Sequence, residues 1–158
     1  MDPGLVGIGD KTPRQLFACS PIRAPAIHGL SPSTSPEARL LAIFDVFDGW
    51  FHKKSFEGCS FINVLLESKT DSPIRRAAAI HLAKIRAIVR GLAEEAKLQE
   101  PEKFAQAWHM LMKGSIVSAG EGNRNAARDA KRAAQLVLKG WKRERESSKP
   151  RAKRGSRH

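Results

Sequence analysis

The sequence predicts an all-α domain of about five helices, and three observations carry that prediction. Apolar residues recur at helical spacing in five stretches between Pro36 and Trp141. Helix-start chemistry stands where two of the longer stretches begin, as Ser72-Pro73 and as Pro101. The composition, 41% hydrophobic and 28% charged with no tyrosine, is rich in Ala, Leu and Ile, and its abundant Ala and Leu are strong helix formers. At 158 residues the chain is long enough for one core and too short for two ordinary domains.

Residues 1–36 hold Pro3, Pro13, Pro21, Pro25 and Pro32 among Gly and Ser with no sustained apolar period, and are expected to be disordered or irregular. One fragment, Gly4 to Thr12, resembles a phosphate-binding loop. That reading fails because Asp10 separates Gly9 from Lys11, no strand precedes it, and Pro13 follows where a helix would be gaining hydrogen bonds. From Pro36 the spacing of Leu40, Ile43, Phe44, Phe47 and Phe51, widened by Leu41, Val46 and Trp50, predicts a helix buried on most sides. Gly58 breaks it. A short helix near Cys59 carries Phe61, Ile62, Leu65 and Leu66 and ends near Lys69.

Ser72 can cap free amides while Pro73 fills a first-turn position that needs no donor, which starts a long helix running toward Leu98. Its seam is read as Ala78, His81, Ile85, Ile88 and Leu92, with Arg75, Arg86, Arg90, Glu94 and Lys97 in water. Pro101 opens the next helix, striped by Phe104, Ala107, Trp108, Leu111, Met112, Ser115, Ile116 and Ala119. Gly120, Gly122 and Asn123 make a turn. The last helix repeats Ala126, Ala130, Ala133, Val137 and Trp141, a small-residue face that lets another helix come close. Residues 142–158 carry eight basic and two acidic side chains with no apolar residue to bury, and are expected to form a flexible cationic tail. Half of the chain's net charge of +12 lies there.

The block Arg39 to Phe51, followed by Phe56-Glu57-Gly58-Cys59-Ser60-Phe61-Ile62-Asn63, resembles the C-terminal domain of TetR/AcrR-type transcriptional regulators. The Gly58-Cys59-x-Phe61-x-Asn63 element carries most of the match, and the order of the later helices is similar over residues 37–141. The resemblance implies an all-helical effector-binding and dimerisation domain whose last two long helices pair with a partner's as an intersubunit four-helix bundle. It also implies a homodimer, a small hydrophobic or aromatic effector and a bacterial source. A cytoplasmic setting is expected because no apolar run could cross a bilayer and Met1-Asp2-Pro3 does not open a signal peptide. The helix-turn-helix that reads DNA in that family has no counterpart in residues 1–36, so no specific DNA binding is expected from this chain alone.

On this reading Phe44, Phe47, Trp50, Phe51, Phe61, His81, Trp108 and Met112 are the expected effector pocket, each with ordinary core packing as its alternative. Cys59, near a helix start, is a possible thiol sensor or else a small buried hydrophobe. The expected dimer interface is Trp108, Leu111, Gly114, Ser115, Ser118 and Ala119 with Ala126, Ala130, Ala133 and Val137. Cys19 and Cys59 are expected as thiols, and the five histidines show no ligand spacing, so neither a metal nor another cofactor is expected. No nucleophile elbow, paired-acid frame or dinucleotide fingerprint supports an enzyme, and no apolar run reaches the roughly 20 residues that cross a bilayer. Two other readings remain: a stand-alone dimer that titrates an intact TetR-type regulator by heterodimerising with it, and a small basic protein binding nucleic acid non-specifically through its tail.

Overall fold

The computed structural model describes residues 34–147, and the side chains of 34–141. Five helices follow in order: α1 (Pro36–Phe51), α2 (Ser60–Glu67), α3 (Pro73–Glu95), α4 (Pro101–Gly120) and α5 (Ala126–Ser147). There is no strand among the described residues. The phosphate-loop fragment, Cys19 and nearly all of the proline-rich segment lie outside them.

Local chemistry starts the helices where the sequence says it should. Ser35 caps α1 by accepting from the Ala38 amide at 3.2 Å, and Ser72 caps α3 by accepting from the Arg75 amide at 3.3 Å. Each is followed by a proline in the first turn, and Pro101 fills the same position in α4. Arg75 reaches back to the carbonyls of Leu65 and Ser68, closing the free C-terminal end of α2. At Gly58 the chain takes φ +80°, which ends the link from α1 and aims α2 onto α3.

The turn between α3 and α4 stores strain. Lys97 N–H donates to Glu94 O at 2.9 Å and Leu98 N–H to Ala93 O at 3.0 Å, the pattern in which glycine usually holds the left-handed position. Here Lys97 holds it at φ 54°, and Glu100 repeats the conformation at φ 45°. Burial of Leu98 and a 2.8 Å bond from Trp141 Nε1–H to Gln99 O keep the turn in place. Lys97→Gly is therefore expected to raise stability by about 0.5–1 kcal/mol in urea unfolding.

Packing runs α2 on α3, α3 on α4, α4 on α5 and α5 on α1, with α1 also crossing α3. The core draws on all five helices, and its largest fully buried side chains are Trp108, Phe44, Phe47 and Phe104. Ion pairs fasten α1 at the surface: Asp45 with Lys131 at 2.6 Å, Asp48 with Arg128 at 3.3 Å, and Glu95 with Arg39 at 2.7 Å. The Arg90–Glu94 pair forms at 3.4 Å and is extended by Glu102.

Three expectations shift. The α3 seam is Ala78, Leu82, Ile85, Val89, Leu92 and Ala93, with His81 and Ile88 at its margin. On α5 the most buried residues are Ala126, Ala127, Ala130, Ala134 and Leu138, because α1 covers one side of the helix and α4 the other. Helix α5 also runs six residues beyond Trp141, through Ser147, so 142–147 are helix rather than tail. Lys142, Arg143 and Arg145 favour that, being good helix formers whose charge suits the negative end of the helix dipole.

Candidate functional site

The aromatic side chains expected to line a pocket fall into two groups. Along α1, Phe44, Phe47, Trp50 and Phe51 make a chain of ring contacts that reaches Phe56 in the following loop, with centroids 5.0–6.2 Å apart. Phe44 carries the chain into α4, where it meets Trp108 at 5.6 Å. Phe104 stacks on Trp108 at 5.1 Å, and Met112 lies fully buried one turn further on. The second group is a pair: Phe61 of α2 stacks on His81 of α3 at 3.7 Å, with His81 only half-buried. Burial and the nearby Lys84 hold the His81 pKa below its ordinary value.

The helical stripe places Trp108 with no exposed surface, its indole packed against Phe44 and Phe104. Its Nε1–H has no hydrogen-bond partner among the described residues; Arg39 Nε and Asp48 Oδ1 are the other buried orphans there. Leaving such a donor unmet inside a protein costs about 1–3 kcal/mol. The buried polar side chains among the described residues are His109 and Ser115. Ser115 donates its hydroxyl to Met112 O at 2.8 Å. His109 is not among the residues that the sequence pattern marks, although it sits beside Trp108 on the same helix.

Burial, with Lys113 and Arg86 nearby, pushes the His109 pKa down to about 4. The imidazole is therefore neutral in the folded chain at neutral pH, while the unfolded chain takes up a proton below about 6.5. Stability does not depend on this group above about pH 6.5 and falls as pH drops from there toward about 4. Urea unfolding at pH 7 and pH 5 is expected to register a loss of stability at the lower pH that His109→Gln reduces, with His81 contributing in the same direction.

Cys59 stands at the N-cap of α2, where the Ile62 and Phe61 amides lower a thiol pKa. Burial outweighs them and pushes the thiol pKa up, which lowers its thiolate fraction at neutral pH. Iodoacetamide at pH 7.5 should label Cys59 in the folded chain several-fold more slowly than in urea. The motif's backbone opens α2 through a bond from Asn63 N–H to Cys59 O at 3.1 Å.

Four residues expected at a subunit interface lie inside the chain's own core: Trp108, Ser115, Ala126 and Ala130. The stripes that carry them face α1 and α3 as well as the neighbouring long helix, and so are already covered. Open to solvent instead are Met110, 63% exposed, and Val117, 48%, on α4, with Leu136, 72%, on α5. Phe104 meets Trp141 at 5.4 Å, which puts α5 against one side of α4, while Glu102 pairs with Arg86 of α3 on the other. Helical spacing then sets Leu111, Gly114 and Ser118 on the α5 side, leading outward to Met110 and Val117. On α5, Lys131 and Arg128 face α1, leaving Ala133, Val137 and Gly140 on the α4 side and Leu136 beyond them. Ala119 is half-buried near the α4 end. Met110, Val117 and Leu136 thus stand on the outer side of the two packed helices, with the exposed Arg132 and Lys139 beside Leu136.

No metal-binding cluster of His, Cys, Asp or Glu occurs among the described residues, and no described helix is long and apolar enough to cross a membrane. No family model and no curated protein matches the sequence. Solved structures do. A putative TetR-type transcriptional regulator from Streptomyces avermitilis superposes with a TM-score of 0.66 at 23% identity, covering 72% of this chain and 62% of that one. A TetR-family transcriptional regulator from Streptomyces coelicolor superposes with a TM-score of 0.67 at 18% identity, covering 82% of this chain and 66% of that one. The chain therefore spans less than two thirds of the length of either. At these identities the likeness establishes architecture: the chain has the all-α fold of TetR-type regulators.

Proposed function

We propose that residues 37–141 are the effector-binding and dimerisation domain of a TetR-type transcriptional regulator, a module with two states that differ in effector occupancy. The observation that carries the reading is the outward apolar face of α4 and α5, with Met110, Val117 and Leu136 in solvent at the outer side of two packed helices. A chain in water covers such a face by pairing, and a two-fold copy supplies the same face in return. The aromatic core supplies the other half of the module. Phe44, Phe47 and Trp108 join α1 to α4, so an apolar effector entering among them acts on the helix that carries the pairing face. This is binding chemistry, and none of these groups is asked to make or break a bond.

A mobility-shift titration with random-sequence duplex DNA at 0.05 M and 0.3 M salt separates this from a nucleic-acid-binding basic protein. The expected result is weak binding that disappears at the higher salt, with the dimer intact in both. A discrete complex that persists undiminished at 0.3 M salt would overturn it.

A further inference from the structure

The orphaned indole N–H of Trp108 constrains the chemistry of the effector, provided that this domain binds one as proposed. We infer that the ligand of this domain is an uncharged, largely apolar molecule bearing a hydrogen-bond acceptor, such as a ketone, ester or ether oxygen, and that this oxygen accepts from Trp108 Nε1–H. The indole has no solvent-exposed surface, Phe44 and Phe104 pack against it, and no side chain or backbone carbonyl among the described residues accepts its proton. The large majority of buried side-chain donors are met by a partner.

Water is a poor match. A buried water needs two to four polar partners, and the buried polar side chains near this stretch of α4 are His109 and Ser115. Ser115 lies two helical turns from Trp108 and already donates to Met112 O. His109 is on the adjoining face, toward the α3 side marked by Arg86. A molecule with one acceptor and an apolar body needs only what this region offers. The same inventory excludes a charged ligand. Among the described residues no Lys, Arg, Asp or Glu side chain is buried as a whole, and the Arg39 guanidinium, whose Nε is buried, is already paired with Glu95. His109 is neutral at pH 7, so an ionic group brought beside Trp108 would find no free countercharge.

Three probes of one shape separate the possibilities: indane, 1-indanone and indane-1-carboxylate, titrated into the full 15N-labelled chain and its Trp108→Phe variant. The Trp108 Nε1–H resonance is identified by its loss in that variant. The expected result is that 1-indanone moves this resonance downfield and binds the wild type about fivefold more tightly than indane, the yield of one neutral hydrogen bond. In Trp108→Phe the two should bind equally, and the carboxylate should bind neither protein. Equal affinities on the wild type, or a ketone preference that survives in Trp108→Phe, would overturn the inference while leaving an apolar effector site in place. Tightest binding by the carboxylate would overturn it as well. If no probe perturbs any core resonance at millimolar concentration, the interior is closed to such molecules, and the effector reading falls with the inference.

Discussion

Val117→Glu and Leu136→Glu are each expected to turn a dimer into folded monomers, raising the dimer dissociation constant about 100-fold or more. Both side chains are largely in solvent in the single chain, Val117 48% and Leu136 72% exposed, so a glutamate there stays hydrated and the bundle keeps its fold. In the proposed pair the same glutamate would be buried opposite an apolar copy of its own surface. Stranding an unpaired charge in that setting costs about 3 kcal/mol or more, which is the stated factor in affinity. Sedimentation velocity gives the mass and far-UV circular dichroism the helix content. Two controls fix the interpretation. Ile80→Glu alters an exposed apolar residue on α3, 59% exposed and outside the face, and should leave the dimer unchanged. Ala130→Glu alters a residue 8% exposed inside the chain's own core, and should unfold the domain rather than split the pair.

Phe44→Ala is expected to cost about 3–5 kcal/mol of stability, a large share of the roughly 5–15 kcal/mol typical of a domain. Phe44 is 1% exposed and joins the α1 rings to Trp108, so deleting it opens a cavity where α1 meets α4. Phe56→Ala removes a ring of the same cluster from a half-buried loop position, and should cost about 1–2 kcal/mol. Urea unfolding followed by circular dichroism measures both. A loss at Phe44 no larger than that at Phe56 would mean that the α1 rings do not anchor the core.

Helix starts are legible in the sequence because their information is local. Ser72-Pro73 and Pro101 encode caps and first turns through the residues themselves, and the structure begins α3 and α4 there. The aromatic cluster is legible too, since the spacing of Phe44, Phe47 and Phe51 puts them on one face in any helix. The register of α5 is not. Alanine stands at 126, 127, 130, 133 and 134, so two adjacent stripes have the same composition, and only the positions of α1 and α4 around the helix decide which residues are deepest. For the same reason the small-residue pattern assigns Ala130 to a subunit surface, when it belongs to the chain's own core.

The outward face escapes the sequence pattern for a related reason. Met110, Gly114 and Val117 repeat at helical spacing, but beside the stronger Phe104, Trp108 and Met112 stripe they read as scatter. A second weaker stripe, offset from the first on the same helix, is the available signal. The histidines reverse roles in the same way. His81 interrupts an apolar seam and stands out in the sequence, yet it lies at the margin of α3, whereas His109, next to Trp108, is the one shielded from water. Neighbours from other helices determine that difference, and a single helix period does not contain them.

If α4 and α5 pair with a second copy through apolar surface, the pair should survive salt, because such contacts are insensitive to the screening that weakens exposed charge contacts. Sedimentation equilibrium of the wild-type chain, run from 1 to 50 μM protein at about 0.1 M and 0.5 M salt, addresses this most directly. A mass twice that of the 17.4 kDa chain is expected at both salt concentrations. A mass of one chain throughout, or a dimer that dissociates as salt rises, would contradict apolar pairing through these helices.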